Sequence, residues 1–286
     1  MENSAKSDHL LLLINPKSSK GKAHKIATYI STCLAKKNIP FISFENKWPD
    51  QINEYKEAWV IGGDGTLNYF LNFYKDVNIP IAIFKGGTGN DFACKLYGDI
   101  NIEQQIDLVL SADQKFVDAG KCNGQVFING IGIGFDGEVL QSINAIRWIG
   151  GHLGYYLAVL KQIFSFKELS MQIGYDNEKI SAYFLLTLIC NSSRMGGGFM
   201  VSPESKLDDG LLNVILCKPL KVTRRLRYLP VIEKGNHLSA DYITQLTAAQ
   251  INITCNKIVP LQIDGELVKA SVFNITVMPK RYLFKY

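Results

Sequence analysis

The stretch that most constrains this chain is the turn Gly62-Gly63-Asp64-Gly65-Thr66. It follows a short apolar run, Ala58–Ile61, and precedes Leu67–Tyr74, in which apolar side chains recur at helical spacing. A strand that turns through glycines into a helix offers backbone N–H groups and the positive end of the helix dipole to an anion. Asp64 suits such a site only if a cation accompanies the anion, so phosphate with Mg²⁺ is the simplest interpretation. The alternative is an ordinary glycine-rich turn with a solvated aspartate.

Strands and helices alternate around this turn. The predicted strands are Leu10–Ile14, Phe41–Phe44, Ala58–Ile61 and Ile81–Phe84, and the predicted helices are Ala23–Lys36, Thr66–Tyr74 and Ile102–Leu110. This alternation predicts a parallel sheet with helices on both faces. In such sheets, ligands bind beyond the carboxyl ends of the strands.

Two further loops follow strands of this sheet. Asn15–Lys22 is basic and rich in hydroxyl groups, and Lys85–Asp91 is again glycine-rich and again ends in a carboxylate. Each loop alone would also suit an ordinary turn. Because three such loops meet at one edge of the predicted sheet, the sequence favours a polyphosphate site over three unrelated turns.

The pattern changes after about Phe116, where short strands alternate with turns and predict a mostly antiparallel β domain. Its predicted strands are Lys115–Ala119, Gln125–Asn129, Ser170–Tyr175, Ser181–Asn191, Leu211–Lys218, Gln250–Cys255, Val259–Ile263 and Val272–Val277, with helices at about 137–166 and 221–234. We therefore expect a nucleotide-binding α/β domain over residues 1–115, joined by a returning segment 279–286, and a β-rich domain over residues 116–278. Gly132–Gly137 fits the dinucleotide-binding pattern G-x-G-x-x-G, but it lies outside the βαβ region, so we interpret it as a strand-to-helix turn.

Composition excludes several classes of protein. The 286 residues are 47% hydrophobic and 20% charged, as in ordinary globular proteins. A net charge of +5 suits anionic partners but falls short of a nucleic-acid-binding tail, so we expect no nucleic-acid partner. The six cysteines are dispersed without a C-x-x-C pair, which favours a reduced, cytoplasmic protein and argues against a zinc site.

Short motifs along nearly the full length carry a family resemblance. They are Asn15-Pro16, Gly62–Thr66 with Asn68, Gly86–Asp91 with Phe92-Ala93, Val117–Gly120, Phe127–Gly130, Gly134–Asp136, Gly196–Phe199, Pro203, Asp208–Leu212 and Ile263–Glu266. In this order and spacing, the sequence resembles the bacterial lipid kinases of the diacylglycerol-kinase catalytic family, which are related to sphingosine kinases.

The resemblance implies a fold and a reaction. The expected fold is α/β plus β, with a Rossmann-like nucleotide-binding domain, a β-sandwich-like domain and an active site in the cleft between them. The expected reaction transfers the γ-phosphoryl group of ATP to a hydroxyl of a lipid, such as diacylglycerol or a sphingoid lipid. This chemistry requires charge neutralisation, in-line positioning and a base for the hydroxyl.

The resemblance also assigns roles to residues. The nucleotide cradle would comprise Asn15, Gly62, Gly63, Asp64, Gly65, Thr66, Gly87, Thr88, Gly89 and Asn90. Mg²⁺ would be held by Asp64, Asp91 and Asp118, partly through waters. Asp264 would be the general base, and Glu266 would orient it or the waters of the metal. From the residues alone, Asp118 and Asp264 both equally resemble hairpin-turn aspartates.

A second divalent ion is also implied, held by Asp209 and the backbone oxygens of Lys206 and Leu211, with a plain Asx turn as the alternative. Two positions depart from the family pattern. Ser19 stands where many members have glycine, and Tyr69 stands where many have glutamate.

A kinase that acts on a lipid must reach a membrane. The segment 218–227 contains five cations and no acid, and is either a basic helix that adheres to anionic lipid or a solvated face. The segment 143–166 is rich in aromatic residues, namely Trp148, Tyr155, Tyr156, Phe164 and Phe166, and we interpret it as an internal helix lining the core or an acyl-chain pocket. We expect a cytoplasmic protein in transient, peripheral contact with the inner face of the membrane, and a homodimer is compatible with the exposed edge strands expected in the β domain.

Two alternatives remain open. NAD kinase shares the Gly-Gly-Asp-Gly turn and a two-domain plan, but the Gly86–Asp91 loop, the Asp-Gly-Glu motif near the C-terminus and the lack of an Asn-Glu pair after the second glycine-rich loop argue against it. The other alternative is a catalytically silent regulator that binds nucleotide or lipid, since a fold does not fix a function. The presence of all four candidate aspartates argues against that reading.

Overall fold

The chain forms two compact units. A computed structural model describes residues 7–145 and 151–286, without the side chains of residues 144, 145 and 151–156. The first unit comprises the chain up to Ala119 together with Pro279–Tyr286, and the second comprises Gly120–Met278.

The first unit is a parallel sheet accompanied by helices. Its elements are β1 (Leu10–Ile14), α1 (Lys22–Lys36), β2 (Phe41–Phe44), β3 (Glu57–Gly62), α2 (Asp64–Phe73), β4 (Ile81–Lys85), α3 (Asp91–Tyr97) and α4 (Ile102–Ser111). The strands pair in the order β2, β1, β3, β4, and all these pairs are parallel. The end of the chain adds a further parallel strand, in which Phe284 pairs with Ile81 of β4.

Burial explains why the sequence patterns of this unit were readable. All the residues of β1 and β3 are buried, because a parallel sheet is covered on both faces. The predicted strands and helices of this region are confirmed to within two residues at each end. Helix α3 escaped prediction because its seven residues are too few to display a period.

The second unit is built mainly of antiparallel strands. Its elements are β5 (Gln114–Cys122, which begins in the first unit), β6 (Gln125–Phe127), β7 (Gly130–Gly134), α5 (Phe135–Ala145), α6 (Gly151–Ser165), β8 (Leu169–Tyr175), β9 (Glu178–Phe184), β10 (Leu186–Cys190), β11 (Leu212–Cys217), α7 (Val222–Glu233), β12 (Ile243–Ala248), β13 (Gln250–Ile263) and β14 (Glu266–Lys285, which ends in the first unit). One path of antiparallel neighbours runs β12, β11, β10, β7, β13, β14, while β8 also pairs with β13 and with β9. Gly132–Gly137 is the strand-to-helix turn that the sequence predicted, since it joins β7 to α5.

Changes of strand partner explain where the predicted boundaries of this unit were wrong. The predicted strand Ser181–Asn191 is divided at Leu185, because β9 pairs with β8 whereas β10 pairs with β7 and β11. Conversely, the two strands predicted between Gln250 and Ile263 are one strand, whose register against β14 shifts between Thr254 and Val259. An irregularity of this kind bends a strand, so that β13 pairs first with β8 and then with β7.

The long helix predicted over 137–166 is divided into α5 and α6. Ala158, Val159 and Ile163 of α6 are buried, but Leu157, Leu160 and Phe164 are 44%, 44% and 65% exposed. Their spacing places these three side chains on one face of the helix, so the prediction of an internal helix is wrong for that face. Trp148 and the side chains of Tyr155 and Tyr156 lie outside the described residues.

The basic segment 218–227 covers the start of α7, and its cations have different surroundings. Arg225 is buried: it donates to the carbonyl oxygens of Leu220, Ile163 and Phe166 and forms an ion pair of 2.7 Å with Glu168. It therefore cannot be a lipid-facing cation, although the other four cations of the segment are exposed. No helix among the described residues is long and apolar enough to cross a membrane.

Candidate active site

Three loops meet at the carboxyl ends of β1, β3 and β4. The Asn15 side chain donates from Nδ2 to Thr66 Oγ1 over 2.9 Å, which joins the first loop to the start of α2. The Ser18 hydroxyl donates to the carbonyl oxygen of Gly86 over 2.9 Å, which joins the first loop to the third. The structure therefore brings together the loops that the sequence placed at one sheet edge.

The two glycine-rich loops touch backbone to backbone. A Cβ atom on Gly87 would lie 2.3 Å from the Cα of Gly63, and one on Gly63 would lie 2.8 Å from the Cα of Gly87. Beside them, the Gly86 N–H donates to the carbonyl oxygen of Gly62 over 2.8 Å. Glycine is required at positions 63 and 87 because any side chain would separate the loops.

Asn90 gives the third loop its shape. Its side-chain Oδ1 accepts from the N–H of Gly87 over 2.7 Å, and its Nδ2 donates to the carbonyl oxygen of Gly87 over 2.8 Å. Asn90 itself has a φ of 56°, in the left-handed region that asparagine tolerates better than most residues. Asn90, which the resemblance assigns to nucleotide binding, thus also stabilises the conformation of the loop expected to surround the nucleotide.

The Asp64 carboxylate caps the helix α3, a role that was not predicted from the sequence. Its Oδ2 accepts from the N–H of Asp91 and its Oδ1 from the N–H of Phe92, both over 3.0 Å. These are the first N–H groups of α3, and a carboxylate at a helix N-terminus is favourable both as a cap and towards the dipole. A cation is therefore not needed to explain a carboxylate in this turn, and the assignment of Asp64 to Mg²⁺ stays a prediction.

The N-terminus of α2 differs from that of α3. Gly63 occupies the N-cap position of α2 and supplies no side-chain hydrogen bond to the first turn. The N–H groups of Thr66 and Leu67 donate to the carbonyl oxygen of Gly63. The backbone of Asp64 and Gly65 precedes these bonds in the first turn, where Gly65 is exposed and helix geometry directs N–H groups outward along the axis. This is the end of a helix that suits a phosphate.

The two departures from the family pattern have local explanations. Ser19 has a φ of 45°, so it adopts the left-handed conformation that glycine would adopt without strain, and its hydroxyl lies 3.1 Å from that of Thr88. Tyr69 lies against Trp48 and Phe73, with ring centroids 5.5 and 5.6 Å away. Its ring is thus part of a surface aromatic cluster in place of the family's carboxylate.

Asp91 and Asp118 are both buried in the first unit. Asp91 is the first residue of α3. Asp118 lies inside β5 and not in a hairpin turn, so that reading of Asp118 is wrong. Its Oδ1 accepts from the N–H of Lys280 over 2.6 Å, at the point where the chain returns to the first unit.

These carboxylates do not form a ready-made metal cage. Within residues 7–145 and 151–286, no group of three or more His, Cys, Asp or Glu side chains is arranged to hold a metal ion. Magnesium does not require such a cage, because it usually keeps several waters and takes one or two carboxylates together with substrate phosphates. Each oxygen of Asp64 accepts one N–H and has a second lone pair, so the donor set fits a magnesium ion that arrives with a nucleotide.

Asp264 occupies the two-residue turn between β13 and β14 and is buried. Its carboxylate accepts three backbone N–H groups: that of Ile128 over 2.7 Å on Oδ2, and those of Asn129 and Gly130 over 2.9 Å on Oδ1. Charge-assisted bonds of this kind are among the strongest hydrogen bonds in proteins. The residue that the resemblance makes a base therefore also anchors the segment before β7. Glu266, the first residue of β14, is exposed.

The turn proposed for a second ion is an Asx turn, in which the N–H of Leu211 donates to Asp209 Oδ1 over 3.1 Å. Asp209 and Lys206 are exposed. The alternative that the sequence left open is therefore present, and ion binding by Asp209, Lys206 and Leu211 stays a prediction.

The second unit also contains an apolar pocket of about 730 Å³, counting the part that opens to solvent. It lies among α5, α6, α7 and β10, and its lining includes Phe135, Val139, Val159, Leu186, Leu188, Phe199, Leu229 and Ile232. Asp136 is the carboxyl group in this lining, and burial raises its pKa from 3.8 to about 6, against a hydrogen bond from Gln262 that lowers it. The sequence pointed to Asp136 only as part of a motif, and gave no sign that it lines a pocket.

Comparison with known proteins agrees with this arrangement. Residues 9–122 match the diacylglycerol kinase catalytic domain, and residues 129–283, more than half of the chain, match the YegS C-terminal NAD kinase beta sandwich-like domain. The chain is 29% identical over 231 residues to a diacylglycerol kinase of Mycobacterium tuberculosis, covering 77% of this chain and 73% of that protein. It is 27% identical over 219 residues to a diacylglycerol kinase of Bacillus subtilis, covering 75% and 72%.

A solved structure extends the similarity to the whole fold. It is that of a protein from Bacillus anthracis strain Sterne described as a candidate diacylglycerol kinase, with a TM-score of 0.81 and 27% identity over 100% of this chain and 98% of the other. The two matched domains confirm the expected architecture of a catalytic domain followed by a β-sandwich-like domain. The chain belongs to the diacylglycerol-kinase catalytic family of bacterial lipid kinases.

Proposed function

We propose that this protein transfers the γ-phosphoryl group of ATP to a hydroxyl group of a membrane lipid. The observation that carries the proposal is the joining of three loops around the start of α2, through the bonds of Asn15 with Thr66 and of Ser18 with Gly86. A glycine-lined backbone next to a helix N-terminus is suited to a chain of phosphates. Lys17, Lys20 and Lys22 in the first loop add positive charge of the kind that a triphosphate requires.

Positioning and charge neutralisation supply most of the catalysis in phosphoryl transfer. Asp64, Asp91 and Asp118 would hold magnesium, partly through waters, and the ion would neutralise charge on the phosphates when bound. Asp264 would take the proton of the lipid hydroxyl. Three N–H donors fix the orientation of its carboxylate in advance, so that no reorganisation is needed when the hydroxyl arrives.

The acceptor is the least specified part of the proposal, and the second unit offers two features for it. The pocket among α5, α6 and α7 has the apolar lining of a site for a hydrocarbon chain. On α6, Leu157, Leu160 and Phe164 form an exposed apolar face that suits contact with a membrane surface. We therefore favour a lipid with at least one long chain as the acceptor and a peripheral encounter with the membrane.

The test is transfer of label from γ-labelled ATP, with Mg²⁺, to dispersed diacylglycerol, a sphingoid base, phosphatidylglycerol and a polyprenol, with NAD in a parallel reaction. We expect label in one class of lipid, and loss of that label in Asp264→Asn protein that is still folded. Asp176→Asn, in the exposed turn between β8 and β9, is the matched control.

The other outcomes would change either the proposed function or the role of Asp264. Label in NAD alone would replace the lipid proposal with a NAD-kinase activity. ATP binding without transfer to any acceptor would support a regulator that retains the nucleotide site. Lipid phosphorylation that survives Asp264→Asn unchanged would remove Asp264 from the mechanism but leave the kinase activity in place.

A further inference from the structure

Two glycines of Gly132–Gly137 leave space for a carboxyl group and for a neighbouring strand. A Cβ atom on Gly132 would lie 1.9 Å from Asp136 Oδ2, so glycine at 132 leaves the space that the Asp136 side chain fills. A Cβ atom on Gly137 would lie 2.1 Å from the carbonyl oxygen of Pro260, so glycine at 137 allows the start of α5 to approach β13. The motif therefore places the Asp136 carboxyl over β7 and beside β13.

Gln262 of β13 pairs directly with Gly132 of β7, so its side chain lies on the same face of the sheet as the Asp136 carboxyl and within reach of it. As a hydrogen-bond donor, Gln262 lowers the pKa of that carboxyl against the effect of burial. The Gln262 side chain is buried, and its Oε1 accepts from the N–H of Gly265 over 2.7 Å. Because a glutamine amide has one acceptor oxygen and one donor nitrogen, the Nε2 group is the donor to Asp136. Gln262 is thus a bridge whose orientation is set from both ends.

Gly265 is the second residue of the turn whose first residue is Asp264. Asp264 and Gly265 have φ values of 46° and 85°, and both of these left-handed conformations must be maintained for the turn to keep its shape. The N–H of Asp264 donates to the carbonyl oxygen of Gly130 over 3.0 Å, and the N–H of Gly265 donates to Gln262. The second of these bonds depends on Gln262 keeping its orientation.

We propose that Asp136 is a positioning residue for phosphoryl transfer, which acts through Gln262 to fix the turn that carries Asp264. This inference rests on the proposed function, in which Asp264 receives the proton of the acceptor. Asp136 itself touches neither Asp264 nor the phosphates in this scheme.

The described titratable and charged groups around Asp136 lie on α5, α7 and β10. Cys190 of β10 lies near it, and Tyr228 and Arg225 of α7 share the pocket. Burial raises the pKa of both the Cys190 thiol and the Tyr228 phenol, so both stay neutral near pH 7. Arg225 is engaged by Glu168 and by carbonyl oxygens, and Glu138 lies on the same helix as Asp136.

The experiment is a double-mutant cycle on kcat between pH 5 and 9, with Asp136→Leu, Gln262→Met and the double variant. We expect each single variant to lower kcat about tenfold with KM for ATP unchanged, and the double variant to be no slower than the slower single one, because both changes break the same bridge. Two losses that multiply, or full kcat in Asp136→Leu, would overturn the proposal.

Asp136→Asn keeps an acceptor oxygen for Gln262 but has no ionisable group at position 136. It provides a second test if Asp136→Leu fails to fold. We expect it to retain kcat at pH 8 within about threefold and to lose an ionisation near pH 6 from the kcat profile. Asp176→Asn should change neither quantity. A loss of kcat at pH 8 as large as that in Asp136→Leu would overturn the proposal, because the acceptor oxygen for Gln262 is still present in Asp136→Asn.

Amide hydrogen exchange at Gly265 separates this inference from the proposed function. Faster exchange there in Asp136→Leu and in Gln262→Met would establish the bridge even if the wild type transferred no phosphate. Unchanged exchange in both variants would overturn the bridge even if the kinase activity were confirmed.

Discussion

Replacing Asp264 by asparagine removes more than a candidate base, because the carboxylate holds three backbone N–H groups of the segment before β7. Asparagine keeps one acceptor oxygen. If that oxygen takes the place of Oδ1, the bonds from Asn129 and Gly130 survive without the charge, and an NH₂ group faces the N–H of Ile128. We therefore expect Asp264→Asn to destabilise the second unit.

The magnitude follows from these three bonds. Hydrogen bonds to a charged group contribute about 1.5–3 kcal/mol and neutral ones about 0.5–1.5, so two surviving bonds lose about 1 kcal/mol each. The N–H of Ile128 is left facing a donor in a buried place, which costs a further 1–3 kcal/mol or so. The free energy of unfolding should fall by about 3–5 kcal/mol, a large part of the roughly 5–15 kcal/mol that stabilises a domain.

The assay must report on the second unit by itself. Trp48 and Trp59 lie in the first unit, so tryptophan fluorescence would mainly follow the wrong part of the chain. Amide hydrogen exchange at Asn129 and Gly130, measured over a series of urea concentrations, reports on the anchored segment. A loss below about 0.5 kcal/mol, with unchanged exchange at both amides, would refute the anchoring role, since surface substitutions have effects of that size.

Three further predictions concern other parts of the chain. Asp136→Asn should raise the free energy of unfolding by up to about 3 kcal/mol above pH 7, at about 1.4 kcal/mol per pKa unit. The pKa of the wild-type carboxyl is about 6 in the folded protein and 3.8 in the unfolded one, so the stability of the wild type falls as pH rises from 3.8 through about 6. Urea unfolding from pH 5 to 8 should therefore show that the advantage of the variant grows with pH. Gly87→Ala should lower ATP affinity at least about tenfold in calorimetric titration, because its Cβ would lie 2.3 Å from a backbone atom, whereas Gly174→Ala, with its nearest atom at 3.9 Å, should not. Phe164→Glu, but not Ile258→Glu, should weaken sedimentation with anionic vesicles about tenfold or more, although both side chains are well exposed; equal effects would exclude the α6 face as the contact.

Patterns that depend on neighbours in sequence predicted most of the first unit. The strand β1 and the helix α1 were predicted almost to the residue. Uniform burial of a strand appears in the sequence as a continuous apolar run, and one buried helix face appears as apolar residues at a regular spacing. The meeting of three loops also followed from the alternation of strands and helices, since a parallel sheet places all such loops at one edge.

Contacts that depend on distant residues were not readable. No sequence pattern indicated that Asp64 caps α3, that Gln262 lies between Asp136 and Gly265, or that one strand changes partner near Thr254. Arg225 is the clearest case, since it looks like one of five equivalent cations and is in fact buried against Glu168. Burial is a property of the folded chain, and a run of charged residues does not show which of its members will be buried.

Structural roles and proposed chemical roles coincide in the carboxylates of this protein. Asp64, Asp118 and Asp264 each accept backbone N–H groups from a segment distant in sequence, namely the start of α3, the returning chain at Lys280 and the segment before β7. Each oxygen of the Asp64 carboxylate accepts one of these N–H groups and has a second lone pair that can face a metal-bound water. The same bonds that build the loops thus fix each carboxylate in one orientation before any ligand arrives. Such preorganisation is what phosphoryl transfer requires, because its catalysis consists largely of holding charges in place.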